Sequence, residues 1–334
     1  VWIMAYTTID DPAIYFNTKL TTGTGSAQAV TGLGFQPDLI WGKRRDSTGH
    51  PTIFDSVRGI TKGLETNGTG AEFTSSDYYT AFGSDGFTIA AGASGAGNGS
   101  SQTAVQWCWK ESATAGFDIL TYEGSGSAKT VSHNLGVKPD WIIVKNIDSN
   151  DPAFNWRSYH SALGAGIAMK PNGTDATSDD PGYWNDTEPT SSVFSVKDSG
   201  ETNNSGQTYI AYLFAEKKGY SKLSGTYVGN GNADGTFIYT GFRPAWVMIK
   251  RTTSTNGWEI YDNKRVGYNT SNSNLRADTN AADDATYPRV DLHSNGFKIR
   301  ASSTGVNTSG APYIYMAFAE APFVNSNGVP NNAR

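Results

Sequence analysis

The feature that most constrains this chain is a pattern of about 100 residues that recurs three times in register. The stretches "TGTGSAQAVTGLGFQPDLIWGKRRDS", "YEGSGSAKTVSHNLGVKPDWIIVKNIDS" and "YVGNGNADGTFIYTGFRPAWVMIKRTTS" carry the same landmarks in the same order. Gly34, Gly136 and Gly241 are spaced by 102 and 105 residues, and Pro37, Pro139 and Pro244 follow them three residues later. Lys43, Lys145 and Lys250 come next with the same two spacings. Gly-x-Gly pairs precede these landmarks, at Gly23 and Gly25, Gly124 and Gly126, and Gly229 and Gly231. Phe87, Phe194 and Phe297 follow, and each copy closes on an apolar run ending at Glu111, Glu216 or Glu320. Self-similarity at a fixed period means one supersecondary unit used three times. The copies span 20–117, 118–219 and 220–321, with an N-terminal segment 1–19 and a C-terminal tail 322–334.

Within a copy, the proline introduces a run such as Trp246, Val247, Met248 and Ile249, β-branched and aromatic and too short for a helix. A turn rich in Ser, Thr, Asn and Gly then leads to a second strand, through Trp258, Ile260 and Tyr261, which completes a hairpin. There Trp258, Ile260 and Val266 interleave with Glu259, Asp262, Lys264 and Arg265, a pattern that predicts one face on the core and one in water. After a polar segment come "DGFTIAAG", "SSVFSVKD" and "NGFKIRAS", a turn, and the closing strand. Five to seven antiparallel strands per copy predict an all-β fold of three tandem sandwiches. The alternative is a pseudo-threefold prism or propeller-like assembly in which the copies share one core.

Composition narrows the function classes. Charged residues make up 17% and the net charge is −5, with Lys and Arg scattered, so no nucleic-acid partner is expected. No run approaches the roughly 20 apolar residues that span a bilayer, so no membrane anchor is expected. "VWIMAYTTIDDP" has no basic start followed by an apolar run; a natural start at Met4, with Val1–Ile3 upstream of it, fits. Cys108, the single cysteine, lies between Trp107 and Trp109 and reads as a buried, inert thiol.

The motifs "GFQPDLIWGKRRDS", "TFIYTGFRPAWVMIKR", "SNGFKIRASS" and "YIYMAFAEAPF", and the ending "VNSNGVPNNAR", resemble a family of repeat-containing proteins of tailed, often marine, bacteriophages. The resemblance runs from about Met4 to Arg334, with Lys110 departing from Ala215 and Ala319. It implies a virion protein, tail fibre-like, assembled in the host cytoplasm and exposed on the particle surface. Its partners would be other virion proteins and a host cell-surface glycan or protein. Phage fibres are commonly trimers, which makes a homotrimer the expectation by analogy; three copies in one chain would supply the same geometry from a monomer.

No catalytic site is legible, and no enzyme, cofactor or metal is expected. No carboxylate pair stands out as a glycosidase would require. His50, His133, His160 and His293 lack zinc-site spacing, and the Gly-x-Gly pairs open no helix that could hold a phosphate. Asp175, Asp179, Asp180, Asp186, Asp278, Asp283 and Asp284 lack the spacing of a calcium loop and read as solvated carboxylates. The recurrent lysines and glutamates suggest an ion pair within each copy, the structural reading their recurrence favours, or exposed ligands for an acidic or basic partner. Tyr78, Tyr79, Tyr183, Trp184 and Tyr287 lie in the most variable segments and are the candidate surface-binding aromatics; the competing reading has them plug the sandwich ends. The expected function is a non-enzymatic appendage for host attachment. A capsid decoration or fibre shaft is the alternative, and a tail-borne depolymerase a third.

Overall fold

Leu39, Ile40 and Trp41 place apolar side chains on both sides of an extended backbone, and the runs after Pro139 and Pro244 do the same. The computed structural model describes residues 5–151, 153–269, 273–286 and 289–330. Val1–Met4 and Tyr287 lie outside these residues. The first segment contains β1 (Phe16–Thr22), β2 (Gln28–Val30), β3 (Leu39–Arg44), β4 (Thr52–Asp55) and β5 (Lys62–Glu65). It continues with β6 (Phe73–Thr74), β7 (Tyr79–Gly83), β8 (Gly86–Ile89) and β9 (Thr103–Trp109). The second has β10 (Phe117–Glu123), β11 (Lys129–Ser132), β12 (Trp141–Asn146) and β13 (Arg157–His160). There follow β14 (Ile167–Ala168), β15 (Ser178–Asp179), β16 (Val193–Val196) and β17 (Thr208–Phe214), with one-turn helices α1 (Pro181–Trp184) and α2 (Gly200–Asn203). The third has β18 (Ser221–Val228), β19 (Phe237–Tyr239), β20 (Phe242–Arg251) and β21 (Glu259–Asp262). It ends with β22 (Leu275–Arg276), β23 (Val290–His293), β24 (Gly296–Ile299) and β25 (Pro312–Pro322).

The strands form antiparallel sheets, none closed. Each segment has a large sheet, in the orders β1-β9-β3-β4-β5-β6, β10-β17-β12-β13 and β18-β25-β20-β21-β22. Smaller sheets accompany them: β2-β8-β7, the pairs β11-β16 and β14-β15, and β19-β24-β23. The segments carry more strands than the expected five to seven, because their polar stretches add two-residue strands such as β6, β14, β15 and β22.

Each large sheet buries one face against its small sheet. Ile40, Phe54, Phe87 and Cys108 share one such core, Ile142, Tyr159, Phe194 and Leu213 a second, Val247, Tyr261, Phe297 and Ala317 a third. These are sandwiches in layering. The opposite faces of the large sheets meet in a fourth cluster that joins Trp41, Trp107 and Trp109 with Trp141, Trp156, Phe214, Trp246, Trp258 and Phe318. Trp109 stands edge-on to Trp246 at 5.7 Å and to Phe214 at 6.5 Å, and Phe214 to Phe318 at 5.9 Å. Aromatics packed this way bury large areas and add edge-to-face attraction.

The inner strands of each large sheet are covered on both sides and have no wet face. The expectation of a half-exposed β21 is therefore corrected: Glu259 and Asp262 are fully buried. Asp262 Oδ2 accepts from Arg265 Nε at 2.6 Å and from Trp107 Nε1, in the first segment, at 3.0 Å. Asp55 Oδ2 likewise accepts from Arg58 Nε and from Tyr212 of the second segment, both at 2.7 Å.

The recurrent lysines are buried as well, and the ion pair expected of them with the glutamates does not form. Lys43 Nζ donates to Thr279 O at 2.7 Å, Lys145 Nζ to Thr69 O at 2.9 Å and Lys250 Nζ to Thr174 O at 2.9 Å. Each bond reaches a loop of another segment, first to third, second to first, third to second, and closes a ring. Burial pulls each ammonium down to about 8.

The glutamates act at the junctions between segments. Glu111 Oε1 accepts from Ile119 N at 3.4 Å, and Glu216 Oε2 from Leu223 N at 3.3 Å, while Glu216 Oε1 takes Lys222 Nζ at 2.7 Å. Asp38 and Asp140 accept the backbone N–H of Glu111 and Glu216, both at 2.8 Å.

The Gly-x-Gly pairs have a steric reason. A Cβ on Gly23, Gly124 or Gly229 would fall 2.1, 2.1 or 2.3 Å from a backbone carbonyl oxygen, and Gly25, Gly126 and Gly231 hold φ of +77°, +71° and +71°. The facing side chains are Asn98, Asn203 and Asn307, all fully buried, which hydrogen-bond the turn backbone on both sides of the second glycine. At the chain's ends, Asp10 Oδ1 accepts from Ser326 N at 2.6 Å. Among the described residues, no helix is long and apolar enough to cross a membrane.

Candidate functional site

The aromatics singled out in the variable segments belong mostly to the cores. Tyr79 is fully buried between Phe54 and Phe87, at 5.1 and 5.5 Å. Tyr183 and Trp184 form the buried face of α1, where Arg157 covers the Tyr183 ring at 4.3 Å and Tyr159 meets Trp184 edge-on at 6.2 Å. Three of the five candidates are thus corrected from surface anchors to packing residues. Tyr78 is half-buried against Phe54 and Phe73.

Five of the seven loop aspartates have partners within the protein, and Asp175, Asp179 and Asp186 are exposed. Asp180 caps α1, Asp175 pairs with Lys170, and Asp278 accepts from Trp258 N. Asp283 binds Arg45 and Arg265, and Asp284 binds Arg289. Among the described residues, no group of three or more His, Cys, Asp or Glu side chains is placed to hold a metal ion.

The exposed aromatic surface lies elsewhere, on the third segment. β18 is the edge of the large sheet and β19 the edge of the small one, and between these edges opens a groove of about 620 Å³. That volume lies within the usual range for ligand sites. Phe237 and Tyr239 are 44% and 55% exposed, with Ile238 between them turned into the core, so period-two alternation puts both rings on one outer face. Val228 is 58% exposed on β18. Lys222, Ser224, Thr226 and Thr236 supply the polar lining.

Local geometry shapes this groove. β18 slips register between Lys222 and Gly225, and a Cβ on Gly225 would fall 2.2 Å from the Tyr315 ring. Glycine there lets Tyr315 form the floor. Lys222 is anchored by Glu216 at 2.7 Å, and the Phe237 ring rests edge-on against His293 at 5.8 Å. The Tyr239 hydroxyl lies 3.3 Å from that of Tyr6.

The other segments lack this surface. Val30 and Val131 pair with Phe87 and Phe194 as Ile238 pairs with Phe297, so the counterparts of Phe237 and Tyr239 are Ala29 and Thr31, and Thr130 and Ser132. Opposite Gly225 stands Tyr315, where Gln106 and Ala211 stand opposite Lys19 and Leu120. Comparing the copies position by position, and not only in their most divergent loops, was the signal that would have found the site.

Chemically, the groove offers aromatic faces, hydroxyls and one ammonium already paired. None of its described lining residues is Asp, Glu or His, so it presents no carboxylate or imidazole for general acid–base work. Its lining is suited to stacking and hydrogen bonding with a polar ring system.

Residues 11–322 match the model of a protein family described as a domain of unknown function, DUF7483. No curated protein and no solved structure matches the chain.

Proposed function

The chain belongs to the DUF7483 family, and we propose that it is a non-enzymatic attachment module that holds a surface saccharide in the groove between β18 and β19. One observation carries this reading: Phe237 and Tyr239 stand exposed side by side over a groove whose described lining has no carboxylate or imidazole. Apolar rings kept in water on one segment, where the other two carry small or polar residues, cost solubility unless a ligand covers them.

The setting proposed for this module is the surface of a phage particle, with other virion proteins as its neighbours and a host surface glycan as its ligand. The motif resemblance supports that setting. The alternative, an architectural protein, gains from the burial of Tyr79, Tyr183 and Trp184, which removes three loop aromatics from contact with any partner.

Binding of the purified protein to an array of bacterial surface polysaccharides tests the reading. Wild-type protein should bind a subset, and Phe237→Ala with Tyr239→Ala should abolish binding while leaving the melting temperature in place. Binding indifferent to both substitutions would move the site elsewhere. Cleavage of a bound polysaccharide would overturn the non-enzymatic assignment.

A further inference from the structure

The junction between the third segment and the first is built differently from the other two, and the difference leaves a cavity. Glu111 and Glu216 each accept from the first strand of the following segment, through Ile119 N and Leu223 N. Thr18 is the matching residue of β1, by the register that pairs Asn17 with Cys108, Asp118 with Leu213 and Lys222 with Ala317. Thr18 N–H is taken instead by Asn17 Oδ1 at 2.9 Å, and Glu320 turns to Tyr268, whose hydroxyl it accepts at 2.5 Å. Ala245 occupies the position of Asp38 and Asp140, directly after the recurrent proline. β20 and β25 run on through this region with register slips at Arg243, Pro244 and Trp246.

The result is a cavity of about 220 Å³ lined by Phe16, Thr18, Ala245, Asn263, Lys264 and Glu320, among others. Thr18 and Asn263 are 5% and 6% exposed, and Thr18 Oγ1, Asn263 Oδ1 and Glu320 Oε2 have no hydrogen-bond partner among the described residues. Buried polar atoms of this kind cost free energy unless something satisfies them. The space would hold roughly seven waters at about 30 Å³ each, the room of a single hexopyranose ring.

We propose that this cavity is a binding site for a small neutral polyhydroxylated molecule, a monosaccharide unit, seated at the junction of the third and first segments. Asn263 Oδ1, Glu320 Oε2 and the Thr18 hydroxyl accept from its hydroxyl groups, and Phe16 and Ala245 face its carbon skeleton. Charge selects a neutral ligand. Arg243 Nη1 lies 3.8 Å from Glu320 Oε2, and Lys264 lines the same cavity, so a cationic ligand would meet two like charges and an anion would meet the carboxylate. The site is separate from the β18–β19 groove, and no lining residue is shared.

The test is ligand-observed NMR with glucose, galactose, mannose and N-acetylglucosamine against the full chain and two variants. Ala245→Asp restores the residue found at the other two junctions and fills the cavity, and Thr18→Ile restores the apolar residue type of Ile119 and Leu223. Saturable binding of at least one sugar, weakened more than about tenfold by either variant at unchanged melting temperature, is expected when a buried acceptor set is blocked. Phe237→Ala with Tyr239→Ala should leave this binding intact, which separates it from the groove. The proposal is overturned if none of the four sugars binds, if binding survives both cavity variants, or if methylammonium outcompetes the sugars.

Discussion

Tyr212 donates its hydroxyl to Asp55 Oδ2 at 2.7 Å across 157 residues of chain, inside a site where Asp55 is fully buried and also holds Arg58. A carboxylate in that position is tolerable only because two donors from different elements converge on it. Tyr212→Phe should therefore cost about 1–2 kcal/mol and Asp55→Ala about 2–3 kcal/mol, the second taking from Arg58 the nearer of its two carboxylates and leaving it Glu72 at 3.2 Å. Urea unfolding measures both. A Tyr212→Phe variant as stable as wild type would show that the bond contributes nothing.

A core that joins Trp109, Phe214, Trp246 and Phe318 leaves no segment with a complete interior of its own. Calorimetry should show one cooperative unfolding transition. Well-separated transitions, or a fragment 220–330 that folds alone with native-like dispersion, would contradict a common core.

Lys145 Nζ donates to Thr69 O, Asn146 O and Phe154 O at 2.9, 2.9 and 3.0 Å. Lys145→Met keeps the stem and orphans the three carbonyls, at a cost of about 2–4 kcal/mol. Because the folded pKa of about 8 lies below the ordinary 10.5, the unfolded chain binds more protons between them. Lys145 thus makes stability rise with pH across that window. The Met variant should lose part of that rise, and an unaltered slope would place the proton elsewhere.

Burial and the neighbouring Asp118 and Asp38 push the Glu111 carboxyl up to about 7. The folded chain keeps a proton that the unfolded chain gives up, so this group's contribution to stability falls as pH rises from about 4.5 to about 7. His160 works in the opposite sense: burial pulls it from 6.5 to about 4, and its contribution rises with pH between those values. The readout is the difference between Glu111→Gln and wild type. The variant should gain on wild type as pH rises from 5 to 7, and parallel curves would refute the assignment.

The strands after Pro37 and Pro139, and the one that begins at Phe242 and runs through Pro244, were legible because β-branched and aromatic runs of that length have few other uses. What lies against their second face was not. Alternation in β21 puts Ile260 and Asp262 on one face and Glu259 and Tyr261 on the other, yet it cannot say that Trp107 of another segment waits beside Asp262. The recurrence of Lys43, Lys145 and Lys250 was visible, but their carbonyl acceptors carry no side-chain signature and left no trace in the sequence. Likewise Tyr79 and Trp184 looked like loop aromatics because the residues around them are polar, while one strand and one helical turn carry them inward. Phe237 and Tyr239 sat in plain view within a motif already aligned, three residues that read as an ordinary strand until the other copies are laid beside it.

The contact between Asp10 and Ser326 brings the two ends of the described chain to one seam. Tension applied through those ends would enter and leave at that seam, without stretching the three sandwiches in series. A row of separate domains lengthens under load by opening one after another, whereas a closed ring pulled at its seam yields little extension until the seam parts. In the attachment role proposed above, such a body acts as a stiff knob and not as a spring.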